Sequence, residues 1–577
     1  MNQSRQLQFE KTIRLFILLT TLELFGMGIF LIRARSLNMD TGAFGYSLPR
    51  LALLAVWLIG FGFCVWALVA AFKGSGSFQR IRLEVEKLLE FEKRYTSVWG
   101  WLIVITVICW GMVLLSLFKP DFLTFIWSSL PVLVRQYAAV IFIVGLLAVQ
   151  GLIFMERMSP FHLSLHDAFG TITTQAILLF LLALFIYAYT AIDLDLATRS
   201  RTSYFPELAQ SFLQGRLDLP DPPSTKDLTL FGDKFYVSFP PLGALLMIPF
   251  AALRGVESIN VLLFNDFFAA LGVTFTFLML ETMKNLGWNQ LRWWENGLLA
   301  LFLGFGTAQY YLSERTLVNL ISHILATSFL ALSLWLAFLG AQRQKWTDFF
   351  LAGTALGLAM LARPNVIFAC VALAAILFQR LRELEKFNRI NYFRQIFFLT
   401  IPIVTVILGL FWYNQARFGS PIDFGYAYML LDQPGDLITY GQFHPHFIAE
   451  NLYDNFLRLP YWETECRMFA PNPQGTSIFL TSPVIVYLAR AWKREVWVLG
   501  AWISIGFIAL THALYYNSGA IQFGYRFSMD FMPMVIALLA FGFKDKLPRF
   551  ALLLIVYSVL VNYVGVIWNT HKWCENF

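Results

Sequence analysis

Charge is what this sequence has least of. Asp, Glu, Lys and Arg make up 14% of its residues, and histidine occurs only 7 times. Soluble domains carry roughly 25% charged residues, so a water-soluble fold of this length would lack the polar surface to cover its apolar bulk. Cysteine is scarce as well, and the five present have no metal-binding spacing. Cys64, Cys109 and Cys370 lie in apolar runs, where a thiol behaves as a small core residue. Cys466 and Cys574 fall in more polar stretches, but spacing alone does not pair them. There is no P-loop, no dinucleotide glycine fingerprint and no serine nucleophile elbow. There is no low-complexity tract, and no nucleic-acid module accompanies the net charge of +7. Nucleic acid is therefore not an expected partner.

Hydrophobic residues are abundant at 58%, with 58 Phe, 22 Tyr and 18 Trp. Aromatic residues are enriched where helices cross a membrane interface. A spanning helix needs ~20 mostly apolar residues. About fifteen candidate spans follow from that length, near 12–32, 51–72, 98–118, 135–155, 171–191, 260–282, 297–312, 317–340, 349–362, 365–378, 393–413, 477–490, 496–515, 531–543 and 548–568. The expected fold is an all-α polytopic membrane protein. The first run begins near Lys11 without a small-residue cleavage site, so it is expected to be a retained helix.

Lys and Arg set the orientation. With a cytoplasmic N-terminus, the even-numbered connections return to the cytoplasm. They carry Lys73 to Arg94, Arg157, Lys284/Arg292, Arg343/Lys345, Arg380 to Arg394, Arg490/Lys493/Arg494 and Lys544/Lys546/Arg549. Nearly every basic cluster then faces inward. The long loops 192–259 and 414–476 face outward, which places the protein in the cell membrane with its polar chemistry on the outer side.

Two domains are expected. Residues 1–170 form a four-helix module with a cytoplasmic amphipathic helix over 78–95, where Ile81, Val85, Leu88 and Leu89 recur at helical spacing. Residues 171–577 form the second. Within loop 192–259, Ser203–Gln214 predicts a short helix ended by Gly215, the prolines of Leu219–Ser224 predict a turn, and Phe235–Val237 is extended. Pro240 and Pro241 open an apolar helix over 242–253, too short to span comfortably and so placed at the outer interface.

Ionisable residues near a membrane are costly unless paired or functional. Asp266, His323 and His512 lie in apolar runs near the expected outer ends, as if lining one polar cavity. They equally suit separate hydrogen bonds within the bundle. Asp193 and Asp195 sit where a helix leaves the membrane, and either carboxylate, but not both, suits proton transfer from an acceptor hydroxyl. Arg363, in LARPN, suits a phosphate through charge and a bidentate fork, although interface snorkelling also explains it. Arg417 and Arg526 sit in similar surroundings, each near a Phe-Gly-Tyr tripeptide. His444, His446, Glu463 and Glu465 supply metal-ligand chemistry without a recognised spacing, so no metal and no cofactor is expected.

From Tyr187 onward the pattern resembles GT-C-fold glycosyltransferases, the superfamily of protein O-mannosyltransferases and the aminoarabinose and rhizobial lipopolysaccharide transferases. The resemblance rests on YFPELAQSFLQGRLDLP, on GDKFYVSFPPLGALLMIPF and on GLAMLARPNVIF. Tyr204, Gly215, Tyr236, Pro240, Pro241, Leu242 and Arg363 fall on the matching positions. The resemblance implies transfer of a sugar, with inversion, from a polyprenyl-phosphate donor to an envelope acceptor. It implies an acidic residue in the first outer loop, here Asp193 or Asp195, with Glu207 as a third option. Arg201, Tyr204, Tyr236, Asp266, His323, Arg363, Arg417 and Arg526 are the expected substrate-binding residues. The chain departs from the pattern at Arg201-Thr202-Ser203, where many relatives carry the acid, and in its extra N-terminal helices. Two other readings stand beside transfer: carriage or flipping of a lipid-linked or small solute, and a non-catalytic relative.

Overall fold

A computed structural model describes residues 46–73, 171–194, 203–384, 389–429, 435–464, 468–519 and 522–568, with residues 17, 18, 21, 42, 43 and 196. Most of the expected span 12–32, the spans 98–118 and 135–155, helix 78–95, Asp195, Arg201, Glu465 and the Cys466/Cys574 pair lie outside the described residues. The chain divides into two compact units, Met1–Leu178 and Leu179–Phe577.

In the first unit, β1 (Gly42–Ala43) pairs antiparallel with β2 (Tyr46–Ser47) and leads into α1 (Leu48–Lys73). Leu58, Ile59, Phe63 and Trp66 on α1 are exposed. A helix apolar on every face, with large side chains outward, suits lipid rather than water.

Helix α2 (Ile172–Asp193) enters the second unit. There follow α3 (Phe205–Leu213), the strands β3 (Leu228–Phe231) and β4 (Lys234–Val237), and α4 (Leu242–Arg254). The core of the unit is α5 (Val261–Asn285), α6 (Trp293–Phe305), α7 (Gln309–Ser313), α8 (Val318–Arg343) and α9 (Trp346–Met360). A 3-10 turn (Pro364–Ala369) then leads to α10 (Cys370–Glu383) and α11 (Arg389–Phe418). A long loop with the hairpin β5 (Tyr461–Glu463) and β6 (Met468–Ala470) precedes α12 (Val496–Leu514), α13 (Met532–Phe543) and α14 (Arg549–Ile567).

Among the described residues seven helices are long and apolar enough to cross a membrane: α2, α5, α8, the continuous Pro364–Glu383, α11, α12 and α14. Fifteen spans are not confirmed among the described residues, and three of those expected fall largely outside them. The runs near 297–312 and 477–490 are shorter as helices because the backbone breaks them, while those near 349–362 and 531–543 form helices of 15 and 12 residues. Helix α6 stops at Gly306, α9 stops before Arg363-Pro364, and Ser482-Pro483 splits the run from Ile478 into a helical turn and a 3-10 stretch. Apolarity marks a segment as buried or lipid-facing; it does not set the length of unbroken helix.

Helix α5 packs on α8, α8 on α9, α9 on α11, and α10 on α12. Small residues bring the backbones close, as membrane packing requires where lipid and side chains are equally apolar. A Cβ added at Gly353 would lie 2.0 Å from the Leu399 carbonyl oxygen, and one at Gly500 would lie 2.3 Å from Ala375 Cβ. Ser333 Oγ donates to Ala352 O at 2.8 Å, tying α8 to α9.

Successive helices alternate in direction. The first turns of α5 and α8 therefore share one end of the bundle with the last turns of α9, α11 and α12. At the opposite end Trp288 stacks on Trp497, with centroids 5.8 Å apart, and donates to Glu383 Oε1 at 2.8 Å. The loop elements cap the first end as the sequence predicts: α3 ends at Gln214–Gly215, α4 follows Pro241, and Phe235–Val237 is extended within β4. Gly232 and Asp233 both take positive φ, 55° and 57°, giving the β3–β4 hairpin the turn that suits twisted strands. Leu242 N donates to Leu361 O at 3.1 Å and fastens α4 to the end of α9.

Candidate functional site

Arg363 has extended backbone, as a residue before proline must, and Pro364 starts the next turn at N1. That break projects Arg363 and Asn365 from between two buried helices. Facing them is the 3-10 turn Arg526–Asp530, which leads into α13. His323 comes from the second turn of α8 and His512 from the last turn of α12.

These groups meet at Asp530, which is fully buried. Its Oδ1 lies 3.0 Å from His323 Nδ1. Its Oδ2 accepts from Arg363 Nε at 3.1 Å, Arg363 Nη2 at 3.0 Å and Asn365 Nδ2 at 2.7 Å, and lies 2.9 Å from His512 Nε2. With Asp530 as acceptor, each histidine donates from the facing nitrogen, and His512 Nδ1, 3.2 Å from Tyr525 Oη, accepts. Burial alone would raise the Asp530 carboxyl. The Arg363 guanidinium and the histidine hydrogen bonds outweigh it and hold the group well below the usual carboxylate range. The Phe527 ring packs among these groups, its centroid 5.4 Å from His323, 5.2 Å from His512 and 5.3 Å from the Arg363 guanidinium carbon.

Above this hub lies a cavity of about 460 Å³. Arg363, Asn365, His323, His512 and Arg526 line it together with Asp227, Tyr426, Tyr515 and Tyr516. Phe239, Ile367, Phe368, Phe424 and Phe443 supply apolar wall. Arg526 is buried, its Nε has no hydrogen-bond partner among the described residues, and burial pulls it down to about 10. Tyr426 is pushed up to about 12 by burial, against the opposing charge of Arg363.

Among the described residues Asp227 is the carboxylate that lines the cavity itself, Asp530 lying behind its wall. Its backbone is left-handed, φ 62°, an uncommon state for a non-glycine residue. The Tyr204 hydroxyl, donating to Lys226 O at 2.5 Å, pins the adjacent peptide. Burial raises the Asp227 carboxyl, while Lys226 and Arg526 partly oppose the rise.

Of the residues expected from sequence, His323, His512, Arg363 and Arg526 share this cavity. Tyr204 stands behind it, supporting the Asp227 turn. Asp193, at the end of α2, does not line it, nor does Glu207 in the first turn of α3. Burial raises the Glu207 carboxyl, and its Oε2 has no hydrogen-bond partner among the described residues. Tyr236 packs edge-on against Phe418. Arg417 is fastened within the fold: Nη1 donates to Val237 O at 2.6 Å, Nη2 to Asn414 Oδ1 at 2.8 Å, and its guanidinium carbon lies 3.8 Å from the Tyr413 ring centroid. It anchors the β3–β4 hairpin to α11. Asp266 is buried beside Glu314, away from the cavity lining. His446 stacks on Tyr440, and no group of three or more His, Cys, Asp or Glu able to hold a metal occurs among the described residues.

Sequence reasoning missed Asp530 as the hub, Asn365 as its donor and Asp227 as a cavity carboxylate. Asn365 lay two positions from Arg363, so it carried a signal. Asp227, in an ordinary polar loop, carried none. No known family model, curated protein or solved structure matches the chain.

Proposed function

We propose that the protein is a membrane glycosyltransferase that moves a sugar from a polyprenyl-phosphate donor to an envelope acceptor on the outer face. One observation carries the reading: two arginines and a free-standing carboxylate line a single cavity with aromatic and aliphatic walls. An anionic phosphate, a sugar and the first part of an isoprenoid chain match that mixture.

In this reading Arg363, oriented through Nε and Nη2 by Asp530, and Arg526 receive the donor phosphate. The acceptor hydroxyl attacks the anomeric carbon. Its oxygen forms the new glycosidic bond as the carbon–oxygen bond to phosphate breaks from the opposite face. The electron pair leaves on the phosphate, where the guanidinium groups stabilise it. The hydroxyl proton goes to Asp227, whose raised pKa suits a base better than an ordinary surface aspartate does. Asp227 takes the role that the resemblance assigns to Asp193 or Asp195.

The orientation is part of the proposal. Lys284, Arg292, Arg343, Lys345, Lys493 and Lys544 fall at the helix ends opposite the cavity, so a cytoplasmic placement of those ends opens the cavity outward. Transport of a lipid-linked or small solute is the second reading, favoured by the buried carboxyls of Asp266 and Glu314, a feature of ion-coupled carriers.

The test uses purified full-length protein in liposomes with radiolabelled polyprenyl-phosphate sugars and a panel of lipid and peptide acceptors. A glycosidic product that disappears with Asp227→Asn is expected. Solute movement without product would favour the carrier, and full transfer by Asp227→Asn would remove that residue as the base.

A further inference from the structure

A second acidic centre lies in the same unit, away from the cavity. Asp266, in the second turn of α5, and Glu314, just after α7, are 0% and 2% exposed. All four of their carboxyl oxygens are buried without a hydrogen-bond partner among the described residues. Each acts electrostatically on the Tyr187 and Tyr310 hydroxyls, and Asp266 acts on Glu314.

Two amides of the same segments also leave acceptors unmet. Asn265 Nδ2 donates to the carbonyls of Leu312, Ser313 and Arg315 at 2.9, 2.8 and 3.0 Å, clamping α5 to the segment that carries Glu314. Its Oδ1 is buried and has no partner. Gln309 Nε2 donates to Ala269 O at 3.0 Å and to Tyr187 Oη at 3.3 Å, and its Oε1 is likewise buried and unpartnered. Flipping either amide would set nitrogen hydrogens free and face oxygen against carbonyl oxygen, so the acceptors are fixed where they are. The nearby hydroxyls are engaged elsewhere: Tyr187 donates to Gly304 O at 2.9 Å, and Tyr310 bonds Thr190 at 2.7 Å.

The result is six acceptor oxygens on four buried side chains with no donor among them. Such a set is unfavourable by itself, since buried acceptors need a hydrogen or a cation. Oxygen-only ligands select hard cations. Charge indicates the valence. Arg315, with Nη2 donating to Trp568 O at 2.9 Å, is the cation that acts on Glu314. With a cation bound and both carboxyls ionised, two carboxylates against one guanidinium leave a single negative charge. We propose that Asp266, Glu314, Asn265 and Gln309 bind one alkali-metal cation inside the bundle.

The test uses the full-length protein in detergent at neutral pH. Binding of radioactive sodium ion is measured by scintillation proximity, with unlabelled Na+, K+ and Li+ as competitors. Thermal unfolding is measured in NaCl, KCl, LiCl and choline chloride at equal ionic strength. The expected result is saturable binding and a Tm that rises and levels off with at least one of the alkali ions. Asp266→Asn and Glu314→Gln are each expected to weaken that response at least about tenfold, and the double variant to abolish it. A wild-type Tm equal in all four salts, without saturable sodium binding, overturns the proposal and leaves a shared proton instead. A cation response undiminished in the folded double variant overturns it too. Wild-type binding is decisive should the variants fail to fold.

Discussion

Two buried acidic centres, built from the same helical unit, solve opposite problems. Asp530 is surrounded by donors: one guanidinium, one amide and two imidazoles reach its two oxygens. Asp266 and Glu314 have carboxyl oxygens that no described donor reaches. A buried carboxylate is tolerable only when its charge is answered, so the first centre is complete as protein and the second calls for something that is not protein. The difference also separates rigid from responsive parts. Asp530 holds Arg363 in place at the cavity wall, whereas at the second centre Asn265 ties α5 to the segment that carries Glu314 and leaves the carboxyls unanswered.

The sharpest break of this contrast is Asp530→Ala. It strands a half-buried guanidinium together with two buried imidazoles and is expected to cost ~3–5 kcal/mol of stability, read as a large fall in Tm in detergent. Because the Asp530 carboxyl is depressed in the fold, its contribution is complete above the ordinary aspartate range and is lost only as pH falls through the depressed value. A variant as stable as wild type would erase the contrast.

Next comes the cavity's free carboxylate. Asp227→Asn is expected to lower transfer by ~10²-fold or more with Tm unchanged. Its pKa is raised, and a base must be deprotonated, so turnover should fall as pH drops through a value above the ordinary aspartate range. A pH–rate profile flat through that region would argue against the assignment.

A smaller effect of opposite sign is expected at the unanswered centre. In choline buffer, Asp266→Asn should leave stability unchanged or raise it by ~1–3 kcal/mol, because it removes a buried acceptor charge. Loss of stability there would mean that donors reach Asp266 after all. The smallest effect is at Glu207. Its carboxyl is raised by burial, so its favourable contribution is present below the ordinary glutamate range and lost as pH rises through the raised value. Glu207→Gln should therefore increase Tm slightly at neutral pH and make no difference in acid, as paired melting curves would record.

Much of the fold is legible in the sequence because it is local. Each expected span that falls on described residues meets a helical element, and the short helix after Pro240-Pro241 runs Leu242–Arg254. Runs broken by Gly306 or Pro483 form shorter helices than their apolarity suggests. The site is less legible. Arg363 announced itself by a charge beside proline in an apolar run, while Arg417, read from similar surroundings, serves as a tether between Val237 and Asn414.

The sequence by itself determined that the chain is a bundle of apolar helices, roughly where those helices lie, and which polar residues gather near one end. Apolar run length and the conformational limits of proline and glycine are properties of neighbouring residues, so they can be read in order. Only the tertiary structure decided that Asp530 meets His323 across 207 positions of chain, that Asp227 turns into the cavity, and that Asp266 turns away from it. Those choices depend on helix rotation and the depth at which loops dock, which packing between distant segments settles and no local pattern encodes.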